Sequence, residues 1–127
     1  MHGFLLVDKP AGITSHDIVR RIRRKLGIRR VGHGGTLDPM ATGLVPVAVG
    51  DATRLLEFFS DSDKGYVATM RLGASTDSQD ADGEVVATGD WESLELGDID
   101  AAILTMRGEI EQVPPMFSAL KQNGIPL

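Results

Sequence analysis

Apolar residues fall in short bursts along this chain, and the spacing within each burst predicts its element. Residues 3–7, GFLLV, form a compact apolar run that ends at DKPAG. The run predicts a strand and the punctuation a turn. From Thr14 the period changes. Ile18, Val19, Ile22 and Leu26 recur at helical spacing, Thr14 or Ser15 can cap, Asp17 suits the first turn, and Gly27 supplies the stop. Residues 44–50, LVPVAVG, predict a short strand, which Pro46 assigns to an edge or an irregular position. Asp51 can then cap a short helix, ATRLLEFF, with Ala52, Leu55, Leu56 and Phe59 turned inward.

Residues 66–73, YVATMRLG, predict a strand, and 84–88, EVVAT, its partner across the polar STDSQDADG. A helix is expected from Gly97 or Asp98 through Met106, with Ile99, Ala102, Ile103 and Met106 on one face. The closing PPMFSALKQNGIPL alternates weakly. Interleaved strands and helices predict an α+β fold, with a mixed, largely antiparallel sheet and flanking helices. There is no repeat and no low-complexity tract.

The 127 residues allow one modest domain, and 42% hydrophobic with 24% charged residues fits a folded, soluble one. The absence of cysteine excludes a disulfide scaffold, a thiolate zinc site and a thiol nucleophile. No apolar run reaches bilayer length, and the N-terminus does not read as a secretion signal. The formal net charge of −5 argues against a polyanion partner until it is divided along the chain. Residues 1–74 hold eleven basic and seven acidic residues, and residues 75–127 hold two and eleven. Seven basic residues lie between Arg20 and Arg30, and no acidic residue occurs from 18 to 37. Such a block reads either as a solvated helix face or as a phosphate contact.

The densest candidate chemistry is VGHGGTLDP, residues 31–39. No lysine follows the glycines, so a P-loop is excluded. His2, His16 and His33 are the only histidines and have no metal-ligand spacing, which disfavours zinc. What remains is a shaped loop. Gly32, Gly34 and Gly35 permit unusual angles or close approach, Thr36 can bond back into the loop, and Pro39 biases Asp38 towards an extended backbone. Asp38 is then a turn former or a reactive carboxylate, and the residues alone leave both readings open. Tyr66 and Trp91 are core residues or, for Tyr66, a base-stacking platform. The acidic Trp91 context disfavours stacking on nucleic acid there. SQDADGEVVATG imitates a calcium loop poorly, because Gly89 stands where the glutamate is required.

At GHGGTLDPMATGLVPVAVGDATRL, residues 32–55, the sequence closely resembles the bacterial tRNA pseudouridine synthase B family. GFLLVDKPAGITSHD, GYVATMRLGASTDSQDADGEVV and RGEIEQVPPMFSALKQNG resemble further family blocks in the same order. The resemblance implies the N-terminal part of a pseudouridine synthase catalytic domain over residues 1–127. It also implies isomerisation of the uridine at position 55 in the tRNA T-loop, without metal or organic cofactor. Asp38 corresponds to the family's nucleophilic aspartate, and Tyr66 to the tyrosine that stacks on the flipped uracil and assists proton removal. His33 corresponds to a histidine that positions RNA. Lys9 and Pro10 correspond to a pair supporting the active-site region, with Gly32, Gly35, Thr36 and Pro39 shaping the loop. The basic segment, Arg20, Arg21, Arg24, Lys25, Arg29 and Arg30, would grip phosphates.

Family members commonly have GHTG or GHAG where this chain has GHGG, and a basic residue where Gly65 stands. They are also much longer, with the rest of the catalytic domain and a C-terminal RNA-binding domain. The missing half carries an arginine that pairs with the aspartate. The chain is therefore expected to be a fragment of low turnover, with an exposed apolar edge and self-association open to it. The full-length enzyme is expected to be cytoplasmic and monomeric, acting on the tRNA T-arm and not at a membrane. The rival reading is a non-catalytic RNA-binding module of the same fold.

Overall fold

The computed structural model describes residues 1–60, 62–112, 121–122 and 125–126. The chain divides into two compact units, residues 1–66 and 67–127. Among the described residues no helix is long and apolar enough to cross a membrane.

The first unit runs β1 (Gly3–Lys9), α1 (Ser15–Leu26), β2 (Val31–His33) and β3 (Gly43–Val49), then a 3₁₀ segment (Gly50–Leu55) and a one-turn α2 (Glu57–Ser60). Its sheet has the order β1-β3-β2, antiparallel throughout. β1 pairs with β3 from Gly3 opposite Val49 to Lys9 opposite Gly43. The period of two in β3 sends Val45, Val47 and Val49 to one face, where they meet Val31 of β2 and Ile18 and Val19 of α1. Each buried aliphatic side chain contributes about 1.5–3 kcal/mol. The opposite face holds buried Ala48, with Phe59 of α2 packed on Phe4 at 5.1 Å between ring centroids.

Pro46 sits in the central strand, against the expectation of an edge. In an antiparallel ladder the N–H and C=O of one residue point to the same neighbour. The Pro46 carbonyl accepts the Gly34 N–H at 2.8 Å, on the β2 side. β2 ends at His33, so the donor that proline lacks would fall just past the end of that ladder.

α1 forms where the apolar stripe predicts it. Thr14 is the N-cap, with the Asp17 N–H bonded to its hydroxyl and the Thr14 N–H bonded to the Asp17 carboxylate. Such a reciprocal cap contributes about 1 kcal/mol. The Thr14 hydroxyl bond, then Arg20, hold the Asp17 carboxyl well below its ordinary range. Gly27 closes the helix in the left-handed region, at φ 65°.

ATRLLEFF departs from a single helix. Its first part belongs to the 3₁₀ segment, whose tighter period leaves Leu55 on the surface. Val49 precedes that segment without a side-chain cap. Asp51 pairs instead with Arg30 at 2.7 Å.

In the second unit, residues 66–71 are not a strand. β4 is Ala74–Thr76, and it pairs with β5 (Val85–Thr88). The intervening loop closes on its own carboxylates. Asp77 accepts the N–H groups of Ser78 and Glu84, and Asp80 accepts the Ser78 hydroxyl and the Asp82 N–H. Pairing of β4 with β5 thus begins only after YVATMRLG has ended. The Ser78 hydroxyl bond, then the Asp82 N–H, hold the Asp80 carboxyl below its ordinary range. Trp91 is not core. It lies over Gly73 and is half exposed.

α3 spans Leu96–Leu104 with Glu95 as N-cap, ending short of Met106. Ile103 is 41% exposed, so the expected apolar face is only partly covered. Of PPMFSALKQNGIPL, only β6 (Lys121–Gln122) and β7 (Ile125–Pro126) are described, as an antiparallel pair. The remainder of that segment lies outside the described residues.

Candidate functional site

Asp38 lies in the connection between β2 and β3, and its two neighbours are held by the backbone turns around it. On one side the Ser15 hydroxyl meets both polar groups of Leu37, accepting its N–H at 2.9 Å and donating to its C=O at 3.2 Å. On the other, the Pro39 carbonyl accepts the Gly12 N–H at 2.8 Å and the Lys9 ammonium at 3.1 Å. The Asp38 carbonyl accepts the Ala41 N–H at 3.0 Å, which closes a tight turn. Asp38 itself is exposed, and its carboxylate takes no hydrogen bond or ion pair from any described residue. A backbone fixed on both sides and a free carboxylate are what a reactive group needs.

Lys9 is fully buried. Its ammonium donates to the carbonyls of Pro10 at 3.0 Å, Ile13 at 2.8 Å and Pro39 at 3.1 Å. Three donors meet three acceptors. The resemblance pairs Lys9 with Pro10 as support for the active-site region, and here its ammonium bonds main-chain carbonyls on both sides of that region. It ties the DKPAG turn to the Asp38 loop. Pro10 supplies one of those carbonyls and Pro39 another.

The glycines act mainly through close approach. A Cβ on Gly32 would lie 3.0 Å from Leu56, and one on Gly34 would lie 3.2 Å from Leu56 and 3.3 Å from Pro46. Gly34 is thus packed on the 3₁₀ and α2 region rather than loose. Gly35 has open space and an ordinary backbone, whereas Gly12 adopts φ 83°. Gly35→Ala is expected to stabilise by about 0.4–1 kcal/mol through the unfolded chain. Gly12→Ala is expected to destabilise by about 1–2 kcal/mol, the cost of a Cβ in the left-handed region. Thermal unfolding reads the two signs, and shifts in the same direction would refute the distinction.

The His33 ring bonds through Nδ1 to the Gly35 carbonyl at 2.8 Å. In the neutral ring this makes Nδ1 the donor and leaves Nε2 an acceptor. His33, Gly34, Gly35 and Thr36 line an open groove of about 390 Å³ with Leu56, Glu57 and Lys64. Tyr66 is 70% exposed and makes no ring contact with a described residue.

The basic segment divides in two. Arg20 is paired with Asp17, and Arg30 with Asp51 and Thr53. Arg21, Arg24, Lys25 and Arg29 are exposed, with no ion pair among the described residues. Arg23, which the sequence did not single out, donates to the Val31 carbonyl at 2.7 Å and ties α1 to β2. Ser15 was considered only as a helix cap. Its role at Leu37 had no local signal, because the two residues are 22 positions apart.

Fold and site together define an α+β fold in which Asp38, whose carboxylate has no partner among the described residues, follows a loop residue anchored to the first turn of a basic helix. A family model described as TruB family pseudouridylate synthase, N terminal domain, matches residues 23–127. The chain belongs to that family. The tRNA pseudouridine synthase B of Geobacter sulfurreducens is 50% identical over all of this chain, which covers 42% of that protein. That of Gloeobacter violaceus is 56% identical over 98% of this chain, again covering 42% of the relative. A crystal structure of a Cbf5-Nop10-Gar1 complex is 30% identical at a TM-score of 0.62, over 94% of this chain and 31% of the matched one. The chain thus spans about two fifths of the length of the curated relatives it matches.

Proposed function

We propose that this chain is the N-terminal part of the catalytic domain of an enzyme that converts uridine to pseudouridine at position 55 of the tRNA T-loop. The observation that carries the reading is Asp38, an uncommitted carboxylate whose flanking backbone is pinned at Leu37 and Pro39. Membership of the family and relatives named tRNA pseudouridine synthase B supply the reaction class.

A T-loop uridine is stacked, so it must be flipped out before a side chain can reach it. Asp38 then attacks the nucleotide to form a covalent bond, the glycosidic N1–C1′ bond breaks, and the uracil turns and joins C1′ through C5; the bond to Asp38 breaks to restore the carboxylate, and the C5 proton is released. Tyr66 stacks on the flipped base and assists removal of that proton. His33 positions the RNA, with the acceptor Nε2 facing donors such as a 2′-hydroxyl. No metal or organic cofactor takes part. The full-length enzyme acts as a cytoplasmic monomer, and its later segments complete the site around Asp38.

The exposed cations of α1 grip phosphates. Arg21, Arg24 and Lys25 stand roughly 9–15 Å along the helix axis from Ser15, at 1.5 Å per residue. Replacing these three with alanine in the full-length protein is expected to weaken T-arm binding and flatten its salt dependence. At roughly 0.7–0.9 per lost phosphate contact, the slope of log K against log salt falls by about two to three. An unchanged slope would remove α1 from the interface. The function itself is tested by incubating the full-length protein with a tRNA transcript and mapping pseudouridine. Product at position 55 is expected. Binding without product would favour an RNA-binding module.

A further inference from the structure

We propose that Ser15 is a positioning residue for Asp38, acting through the backbone of Leu37. This rests on the reading of Asp38 as the reactive group and goes beyond it. Ser15 opens α1, where a hydroxyl ordinarily serves the helix N-terminus. Here Thr14 and Asp17 already form the reciprocal cap, so the helix does not require Ser15. The Ser15 side chain is instead buried, 2% exposed, and both of its bonds go to one residue across the chain.

That residue is Leu37, immediately before Asp38. By accepting its N–H and donating to its C=O, one hydroxyl does what a paired strand would do for it. It fixes the peptide plane on each side of Leu37, including the one that leads into Asp38. Leu37 also packs against the core cluster, which Ile18 and Val19 share with the valines of β2 and β3. The Pro39 side has two donors, Gly12 and Lys9, and the Leu37 side has Ser15. Without Ser15 the loop would be held at one end, and the carboxylate would sample positions off the line of attack. A misplacement of about 1 Å can lower turnover roughly a hundredfold.

The test compares four forms of the full-length protein: unsubstituted, Ser15→Ala, Val19→Ala and Asp38→Asn. Val19→Ala opens a cavity under the same helix while leaving both Ser15–Leu37 hydrogen bonds in place, and controls for lost stability. Ser15→Ala is expected to lower kcat about tenfold to a hundredfold, leave KM for the T-arm unchanged, and expose the Leu37 amide to faster hydrogen exchange. Val19→Ala is expected to lower Tm while kcat, measured where the protein is folded, stays near the unsubstituted value. Ser15→Cys keeps the side-chain volume with a weaker donor and acceptor, and carries the same comparison if Ser15→Ala does not fold. Unchanged kcat in the Ser15 variants, or an equal fall in Val19→Ala, overturns the proposal. Full turnover by Asp38→Asn, or none by the unsubstituted protein, overturns the reading on which it rests.

Discussion

The full-length protein carrying Asp38→Asn is expected to fold, to bind T-arm RNA as the unsubstituted protein does, and to form no pseudouridine. Asparagine has nearly the same shape as aspartate but cannot serve as the nucleophile. The loop geometry does not depend on the lost charge, because the described hydrogen bonds at residues 37 to 39 all reach the backbone. The carboxylate has no described partner to leave stranded, so the substitution has no stability cost from an orphaned cation. The expected loss of kcat is therefore about 10⁴-fold or more, the scale for removing a nucleophile from an otherwise intact site. Tritium release from a transcript labelled at uridine C5 measures it directly, since the proton leaves when the base rejoins through that carbon. An Asp38→Asn protein with substantial turnover would return Asp38 to its other reading, a turn former whose carbonyl accepts the Ala41 N–H.

What the sequence made legible follows contact range. α1 was readable because its stripe, its cap and Gly27 all lie within one segment. β1 and β3 were readable as apolar runs, but the place of β3 in the sheet was not. Pro46 looked like an edge signal, and only the early end of β2 makes a central proline tolerable. The strand expected over 66–73 failed because strand propensity does not supply a partner. Val67 and Met70 are exposed, at 105% and 65%, and pairing begins only at Ala74, where the acidic loop turns the chain. In the candidate site, the family resemblance singled out Asp38 while local chemistry left it undecided. The loop contacts of Ser15 and Gly12 had no local signal because their partners lie 22 and 27 residues away. The charge block was legible as composition, but its division into paired Arg20 and Arg30 and exposed Arg21, Arg24, Lys25 and Arg29 needed coordinates.

Lys9→Met is expected to produce the largest stability loss of any single substitution in the first unit outside the apolar core. Methionine fills much the same volume and keeps an apolar stem, so little packing is lost. The three hydrogen bonds are lost entirely. Replacing a buried charged pair with apolar residues can be harmless when both partners are replaced. Here the partners are the main-chain carbonyls of Pro10, Ile13 and Pro39, which no side-chain substitution removes. The Pro39 carbonyl keeps the Gly12 N–H, while those of Pro10 and Ile13 lose their Lys9 donor. Pro10 and Pro39 lie at the surface, where water can replace part of the loss. The expected cost is accordingly about 2–3 kcal/mol rather than that of a sealed site, and Tm falls by roughly 10 °C. Lys9→Arg is expected to fail as well, because a planar guanidinium cannot direct three donors at three converging carbonyls. Lys25→Met on the exposed face of α1 is expected to stay within about 0.5 kcal/mol. Thermal and urea unfolding of the three variants separate these outcomes. A Lys9→Met protein as stable as Lys25→Met would show that the ammonium does not hold the DKPAG turn against the Asp38 loop.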